Sequence, residues 1–269
     1  KAYADMFRDN SSDGGGNTAS AYGGTIRAAV GSGNLSTKMV QSISTGGANE
    51  DQLVTWVESH DNYANKEQTG SDGVKKGVST ELTDYEVMMG WAIVGSRKDG
   101  APLYFNRPKE SGGKDANGNI RPQFAEKSQL GDTGDDMWKN TSVVAVNHFR
   151  NAMVGEDSSV SNCGDDNCLM VERYAGSAAQ DGMVVANANG AEKNLAGQST
   201  KLANGTYMDE VTGSTITVSG GKVTSGSVNA KSIAASSNKA RSGKVSTAEA
   251  YPNKGTIPGE SKLITLRSY

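Results

Sequence analysis

The chain has 269 residues, which is enough for one large domain or two ordinary ones with a buried core. Its 27 Lys and Arg residues against 30 Asp and Glu residues leave a formal net charge of -3, which argues against a nucleic-acid partner because phosphate binding needs a basic face. Its apolar runs are all shorter than a membrane span, so we expect no membrane partner either.

The first 155 residues alternate strand-like and helix-like segments, which is the βα pattern of a parallel sheet or barrel. In chain order, the first predicted elements are a helix around Ile26, Ala29 and Val30 that stops at Gly31 and Gly33, and a buried strand at 53–57. A second helix starts at a capping box of Thr83 and Glu86 and has Val87, Trp91 and Val94 on its core face. A short buried strand at 101–105 and a helix at about 142–153 follow. The loop at 109–137 is too long for a simple connection and favours a functional or rim position. Two or three parallel strands cannot close a barrel, so the front of the chain looks cut.

A histidine and a carboxylate, His60 and Asp61, stand side by side just after the strand predicted at 53–57. If a helix follows and the next strand is parallel, they lie at the carboxyl end of a strand, where α/β proteins assemble active sites. The alternative is a hydrogen-bonded pair that only fixes a loop. In an ideal strand Glu58 points to the same side as His60, either as a catalytic group or as a buried structural carboxylate.

After residue 155 the helical patterns vanish, and short alternating runs separated by turn residues take their place. The predicted strands lie at 169–174, 182–188, 206–211, 214–218, 222–224 and 227–235. This series favours an antiparallel β-sandwich at 156–238. Residues 239–269 have the composition of a linker followed by the start of a further module.

Cys163 and Cys168 are the two cysteines, with four residues rich in glycine and aspartate between them. This spacing suits a small hairpin tip closed by a disulfide, and a paired count suits an exported protein. Two free thiols are the alternative. A metal site is less favoured, because no other Cys or His is near in sequence.

Six short motifs, in order along the chain, carry a resemblance to a known family. The two most specific are W-V-E-S-H-D-N-Y-A-N at 56–65 and G-A-P-L-Y-F-N-R-P at 100–108. The others lie at 18–23, 128–132, 146–149 and 204–207. Together they resemble the C-terminal half of a secreted bacterial alpha-amylase of glycoside hydrolase family thirteen.

The resemblance implies a fold that is α/β followed by all-β. Residues 1–155 would form the C-terminal part of a (β/α)8 TIM barrel, about strands six to eight, with 53–57 as the seventh strand and 101–105 as the eighth. Residues 156–238 would form the antiparallel β-sandwich called domain C, and 239–269 would be the linker and further module.

The resemblance also implies retaining, endo-acting hydrolysis of α-1,4-glucosidic bonds in starch or glycogen, outside the cell or at its surface. Asp61 matches the aspartate that stabilises the transition state, His60 matches a histidine that binds the sugar, and Asn65 is a neighbouring substrate contact. The nucleophilic aspartate, the acid/base glutamate and most ligands of the expected calcium ion would lie upstream of Lys1. We therefore expect no metal ligands in this chain and no activity from it alone.

Two alternatives stay open. One is a non-catalytic starch-binding or scaffold role for this chain. In the other, a separate N-terminal chain completes the barrel, rather than a segment of the same polypeptide. Single residues have alternatives as well: Arg107 either reaches substrate or pairs with a carboxylate, and Trp138 either lines the cleft or does not. His148 is expected to be structural, and Asp115 begins an acidic loop that resembles a calcium loop but lacks its glycine.

Overall fold

The structure is a computed structural model that describes residues 2, 5–6, 17–40, 48–49, 52–65, 79–115, 117–126, 128–129 and 131–238. Its main helices are α1 (Ser20–Ser32), α2 (Thr37–Val40), α3 (His60–Ala64), α4 (Asp84–Ser96) and α5 (Thr141–Ala152). Short 3-10 turns lie at Ser79–Glu81 and Met137–Lys139. Within these ranges no helix is long and apolar enough to cross a membrane.

Two sheets and a short ribbon contain the strands. Strands β1 (Asn17–Thr18), β2 (Leu53–Trp56) and β3 (Ala101–Leu103) form a parallel sheet in that order. Strands β4 (Asp157–Asn162), β5 (Cys168–Tyr174), β6 (Gly182–Asn187), β8 (Gly205–Asp209), β9 (Thr215–Ser219), β10 (Lys222–Ser225) and β12 (Ser232–Ser237) form an antiparallel sheet. Strands β7 (Lys193–Asn194) and β11 (Ser227–Val228) form the ribbon.

The helices begin and end where their capping residues predict. Thr83 caps α4, and both halves of its capping box with Glu86 are made, as expected. Asn140 caps α5 by accepting a hydrogen bond from the amide of Ser142. Helix α1 runs through Gly31 and ends at Gly33, whose φ of 72° is the left-handed conformation that glycine adopts easily.

The parallel sheet confirms the predicted strand and helix alternation, with one correction at its edge. Thr55 pairs with Pro102 and Trp56 with Leu103, so β2 and β3 run in the same direction. The strand predicted at 101–105 is present at 101–103, but its predicted burial was wrong, because Ala101 is exposed and the four residues after it are only partly buried. Among the described residues β3 is the last strand of its sheet, and an edge strand lacks the neighbour that would cover it.

The antiparallel sheet confirms the β-rich second part. Its strand order is β10-β9-β8-β12-β6-β5-β4, and all neighbouring pairs are antiparallel. Strands β8 and β12 share only the pairs Ser236 with Asp209 and Ser237 with Met208, so the sheet curls at this joint. Its two halves then enclose a core that includes Met170, Met183, Val185, Tyr207, Ile216 and Val218.

Some strand boundaries differ from the prediction. The run predicted at 227–235 is two strands, β11 and β12, because the chain turns between them at Lys231, whose φ is 47°. Strands β4 and β7 were not predicted. The sequence of β4, D-S-S-V-S-N, has one apolar residue, and its side chains are at most partly buried.

Both faces of β5 and β6 are covered, which explains their nearly continuous apolar sequences. Met170 and Val185 face the core inside the curl, whereas Val184 packs in a cluster with residues of α4 and α5, including Trp91, Val146 and Phe149. Gly182 makes a close approach possible, since a Cβ atom there would lie 2.8 Å from atoms of both Phe149 and Met153.

Hydrophobic clusters therefore cross the boundary predicted near residue 155. One contains residues of α1 and α4 together with Leu169, Val171 and Ala186 of the antiparallel sheet. The two parts of the chain share packed surface, and the division at 155 and 156 remains a prediction. The linker and further module predicted at 239–269 lie outside the described residues.

Candidate active site at the carboxyl end of strand β2

Helix α3 carries the predicted site residues and was not itself predicted. Strand β2 ends at Trp56, and two residues later Ser59 caps a helix of five residues. The Ser59 hydroxyl accepts a hydrogen bond from the amide of Asn62, and the Asn62 side chain accepts one from the amide of Ser59. This is a capping box with asparagine in place of the usual glutamate, so the signal was a serine followed three residues later by a polar acceptor.

His60 and Asp61 open α3 and face solvent. The ring Nε2 of His60 lies 3.1 Å from the Asp61 carboxylate, and the two side chains are 82% and 71% exposed. Glu58 is only 2% exposed, so it does not share a side with His60 as an ideal strand predicted. The strand ends before Glu58, and because the chain then turns into α3, the side chains of Glu58 and His60 point in different directions. The structure thus brings His60 and Asp61 together at the carboxyl end of β2.

Asn65, the third predicted substrate contact, lies at the C-terminal end of the same helix. Its backbone amide donates to the carbonyl of Asp61 at 2.9 Å, and the residue is exposed. The three residues therefore lie on one short helix and face solvent. Their roles toward a sugar remain predictions.

A buried ion pair fixes the residues that lead into helix α3. The Arg107 guanidinium binds both carboxylate oxygens of Glu58, with Nε to Oε2 at 2.9 Å and Nη2 to Oε1 at 2.8 Å. Arg107 also donates to the carbonyls of Ser79 and Leu82, and the Ser79 hydroxyl donates to Glu58. Burial alone would lower the pKa of Arg107, but the charge and hydrogen bonds of Glu58 hold that pKa above its ordinary value. Arg107 is therefore a structural residue, and so is Glu58.

The long loop between β3 and α5 folds back onto α3. The Tyr63 hydroxyl donates to the carbonyl of Gln123 at 2.8 Å, and the Gln123 side chain donates to the carbonyls of Tyr63 and Ala64. Tyr63 is 1% exposed, and its ring packs against Phe105 and Phe124. The length of this loop predicts a functional or rim position, but nothing in the sequence identifies Gln123. No local pattern marks that residue, because its partners are about sixty positions away.

A polar cleft of about 350 Å³ lies beside the same loop, lined by Asp84, Glu110, Ser111, Arg121, Asp135, Asp136, Met137, Lys139 and Asn140. Burial raises the pKa of Asp135 to about 6, although its hydrogen bond from the amide of Met137 and the charge of Arg107 both act to lower it. Trp138 does not line this cleft; it is half exposed, and the ammonium of Lys139 lies 5.0 Å from its ring centre.

The structure does not support a metal site in the part of the chain that it describes. No group of three or more His, Cys, Asp or Glu residues there is arranged to hold a metal ion. Asp115, at the start of the loop that resembles a calcium loop, instead accepts hydrogen bonds from the amides of Asn117 and Asn119 and from the Asn119 side chain. The calcium expected for a complete enzyme remains a prediction.

The predicted disulfide is confirmed, because Cys163 and Cys168 are bonded and fully buried in the core of the curled sheet. They belong to the hydrophobic cluster inside that sheet. The predicted structural role of His148 is also supported: its Nδ1 lies 2.6 Å from the carboxylate of Glu210, so it links α5 to the loop after β8.

Two curated proteins are similar to this chain. An alpha-amylase of Butyrivibrio fibrisolvens is 36% identical over 210 residues, which cover 74% of this chain and 20% of that protein. An alpha-amylase of Clostridium acetobutylicum is 33% identical over 207 residues, which cover 77% of this chain and 22% of that protein. The chain thus spans about a fifth of the length of the relatives it matches. No protein-family model matches it.

A solved structure extends the comparison to the fold. The crystal structure of gamma-CGTase from alkalophilic Bacillus clarkii matches with a TM-score of 0.53 and covers 82% of this chain and 32% of that one. At 16% identity this likeness concerns the fold alone. The two sequence matches confirm the resemblance inferred from the motifs, and the chain is therefore of the alpha-amylase type.

Proposed function

We propose that this chain is part of an extracellular, retaining, endo-acting alpha-amylase that hydrolyses α-1,4-glucosidic bonds of starch or glycogen. Within it, Asp61 stabilises the transition state, and His60 and Asn65 bind the sugar. The single observation that supports these roles best is that His60 and Asp61 lie 3.1 Å apart on α3, exposed to solvent at the carboxyl end of a parallel strand.

The chemistry of these side chains suits a sugar in a retaining hydrolysis. The Asp61 carboxylate offers charged acceptors to sugar hydroxyls, and such hydrogen bonds tighten as the ring flattens and positive charge develops at the anomeric carbon. The same negative charge stabilises that positive charge directly. A ring nitrogen of His60 can donate to a hydroxyl of the same sugar.

The proposal requires two more carboxyl groups about 5 Å apart, a nucleophile and an acid/base, at neighbouring strand ends. We place both upstream of Lys1, on the missing half of a (β/α)8 barrel, either in the same polypeptide or in another chain. The partly exposed edge of β3 supports this arrangement, because a fourth parallel strand could pair with it. The calcium ion of the complete enzyme would be held mostly by residues of that half.

The test is the release of maltooligosaccharides from soluble starch by the full-length protein. Asp61→Asn keeps the size of the side chain and removes its charge, so we expect kcat/KM to fall by about 100- to 1,000-fold. Asp166→Asn is the matched control, because Asp166 is exposed at the disulfide hairpin in the other part of the chain. Near-normal turnover by Asp61→Asn would contradict the role assigned to Asp61. Starch binding without hydrolysis by the unmodified protein would favour the starch-binding alternative.

A further inference from the structure

Helix α3 is too short to hold its own shape. Its five residues make little more than one turn, and isolated helices of that length are not stable in water. The last carbonyl groups of a helix also lack partners within it. The Ser59 capping box secures the N-terminal end, so the C-terminal end needs support from another part of the chain.

Gln123 supplies that support. Its side-chain amide donates to the carbonyl of Tyr63 at 2.9 Å and to the carbonyl of Ala64 at 2.7 Å. Its backbone carbonyl accepts a hydrogen bond from the Tyr63 hydroxyl at 2.8 Å. One residue thus makes three hydrogen bonds to the last two residues of the helix. It acts as a C-terminal cap from a loop about sixty residues away.

The loop that carries Gln123 is itself well anchored. The amide of Gly112 donates to the carbonyl of Pro122 at 2.8 Å, and the amide of Arg121 donates to the carbonyl of Gly113 at 3.0 Å. Gly112 also lies against Tyr63, and a Cβ atom there would be 2.8 Å from the Tyr63 hydroxyl. The loop therefore holds Gln123 in place independently of the contacts that Gln123 makes with the helix.

The Tyr63 ring completes the connection. Its centre lies 5.4 Å from that of Phe105 and 5.9 Å from that of Phe124, and the Arg107 guanidinium lies 5.8 Å from it. Tyr63 is therefore fixed on the inner side of α3 while Asp61 faces solvent on the outer side. A shift at the C-terminal end of so short a helix would change the direction of Asp61.

We infer that Gln123 is a positioning residue for Asp61 and His60, which it holds in their catalytic orientation by capping α3. The inference rests on the proposed function, because it assigns Gln123 an effect on catalysis through Asp61. Gln123 itself would not touch the reacting atoms. It would contribute by keeping the carboxylate where the sugar hydroxyls meet it.

The experiment compares three variants of the full-length enzyme acting on soluble starch. Gln123→Glu keeps the length of the side chain but turns the donor into an acceptor that faces two carbonyls. Gln123→Lys keeps a donor. Gln129→Glu is the control, an exposed glutamine of the same loop whose backbone amide bonds to Asp132.

We expect Gln123→Glu to lower kcat by about tenfold or more with KM within about twofold, since small displacements of catalytic groups have effects of this size. Gln123→Lys and the control should stay within about threefold of the unmodified enzyme. On an Asp61→Asn background, Gln123→Glu should have no further effect. Hydrogen exchange of the Tyr63 and Asn65 amides, which bond within the helix turn, should be faster in Gln123→Glu.

Three results would overturn the inference. One is normal turnover by Gln123→Glu while Asp61→Asn is impaired, which would leave the proposed function standing. Another is an equal loss on both backgrounds, which indicates general destabilisation rather than an effect through Asp61. The third is unchanged exchange of the α3 amides. Failure of the proposed function is distinct, because it is seen as near-normal turnover by Asp61→Asn itself.

Discussion

The two sheets of this molecule use polar side chains in opposite ways. In the antiparallel sheet, Asp181 is fully buried and accepts hydrogen bonds from the amides of Ala175, Gly176, Ser177 and Ala203. At the carboxyl end of the parallel sheet, the Asp61 carboxylate contacts His60 and is otherwise open to solvent. A buried carboxylate whose acceptor sites are filled can only stabilise the fold, whereas an exposed one can still bind a ligand.

This contrast separates the chemistry from the scaffold. Asp209 and Glu172 repeat the pattern of Asp181, since both are buried and bind backbone amides and hydroxyl groups of nearby loops. Glu58, beside the site, differs: it is as buried as these residues, but its partners are the guanidinium of Arg107 and the hydroxyl of Ser79. The buried carboxylate beside the site is therefore held mainly by an ion pair, whereas those of the antiparallel sheet are held by backbone amides and hydroxyl groups.

The largest effect should come from breaking that ion pair. Arg107→Met leaves the Glu58 carboxylate buried without its charged partner, so we expect the free energy of unfolding to fall by about 3 to 5 kcal/mol. Urea unfolding followed by tryptophan fluorescence measures the loss. The double variant with Glu58→Gln removes the buried charge as well and should recover part of the stability. A change below about 1 kcal/mol for Arg107→Met would mean that the pair does not support the site.

A second variant tests whether the two sheets are one structural unit. Phe149 of α5 is 3% exposed and packs with Val184 and Ile233 of the antiparallel sheet. Phe149→Ala should destabilise the protein by about 3 kcal/mol, because it leaves a cavity between α5 and the antiparallel sheet. Val154→Ala, at a residue 69% exposed, is the control and should have little effect. If far-UV circular dichroism and tryptophan fluorescence then report separate transitions, the shared core does not couple the sheets.

The smallest effect concerns Asp135 in the polar cleft. Its pKa is raised to about 6, so the folded protein holds this proton more tightly than the unfolded chain does. Stability contributed by the protonated form is therefore present below about pH 4 and is lost as the pH rises toward 6. Asp135→Asn should remove this decline and stabilise the protein at pH 7 by about 1 kcal/mol, a value reduced for partial solvent exposure.

Urea unfolding of both proteins at pH 4.5 and pH 7 measures this difference. Asparagine keeps the oxygen that accepts from the amide of Met137, so the comparison isolates the charge. A variant that is less stable than the original protein at pH 7 would show that the Asp135 charge stabilises the loop.

Local patterns predicted the elements that depend on neighbouring residues. The capping box at Thr83, the core face of α4 and the hairpin that the disulfide closes all join residues at most about ten positions apart. Helix α3 was missed although its capping signal is also local, because asparagine replaces the usual glutamate of the capping box and five residues are too few to show a helical period. The exposed edge of β3 was missed because β-strand composition says nothing about which strands have neighbours.

By itself the sequence determined the alpha-amylase type, the alternation of strands and helices, the antiparallel second part and the adjacency of His60 and Asp61. Only the tertiary structure decided that Glu58 pairs with Arg107, that Gln123 caps α3, and that helices cover one face of the antiparallel sheet. The physical reason is the distance along the sequence over which each kind of interaction acts. Periodicity and capping act within one element, whereas these contacts join residues tens of positions apart and exist only once the loops have folded back.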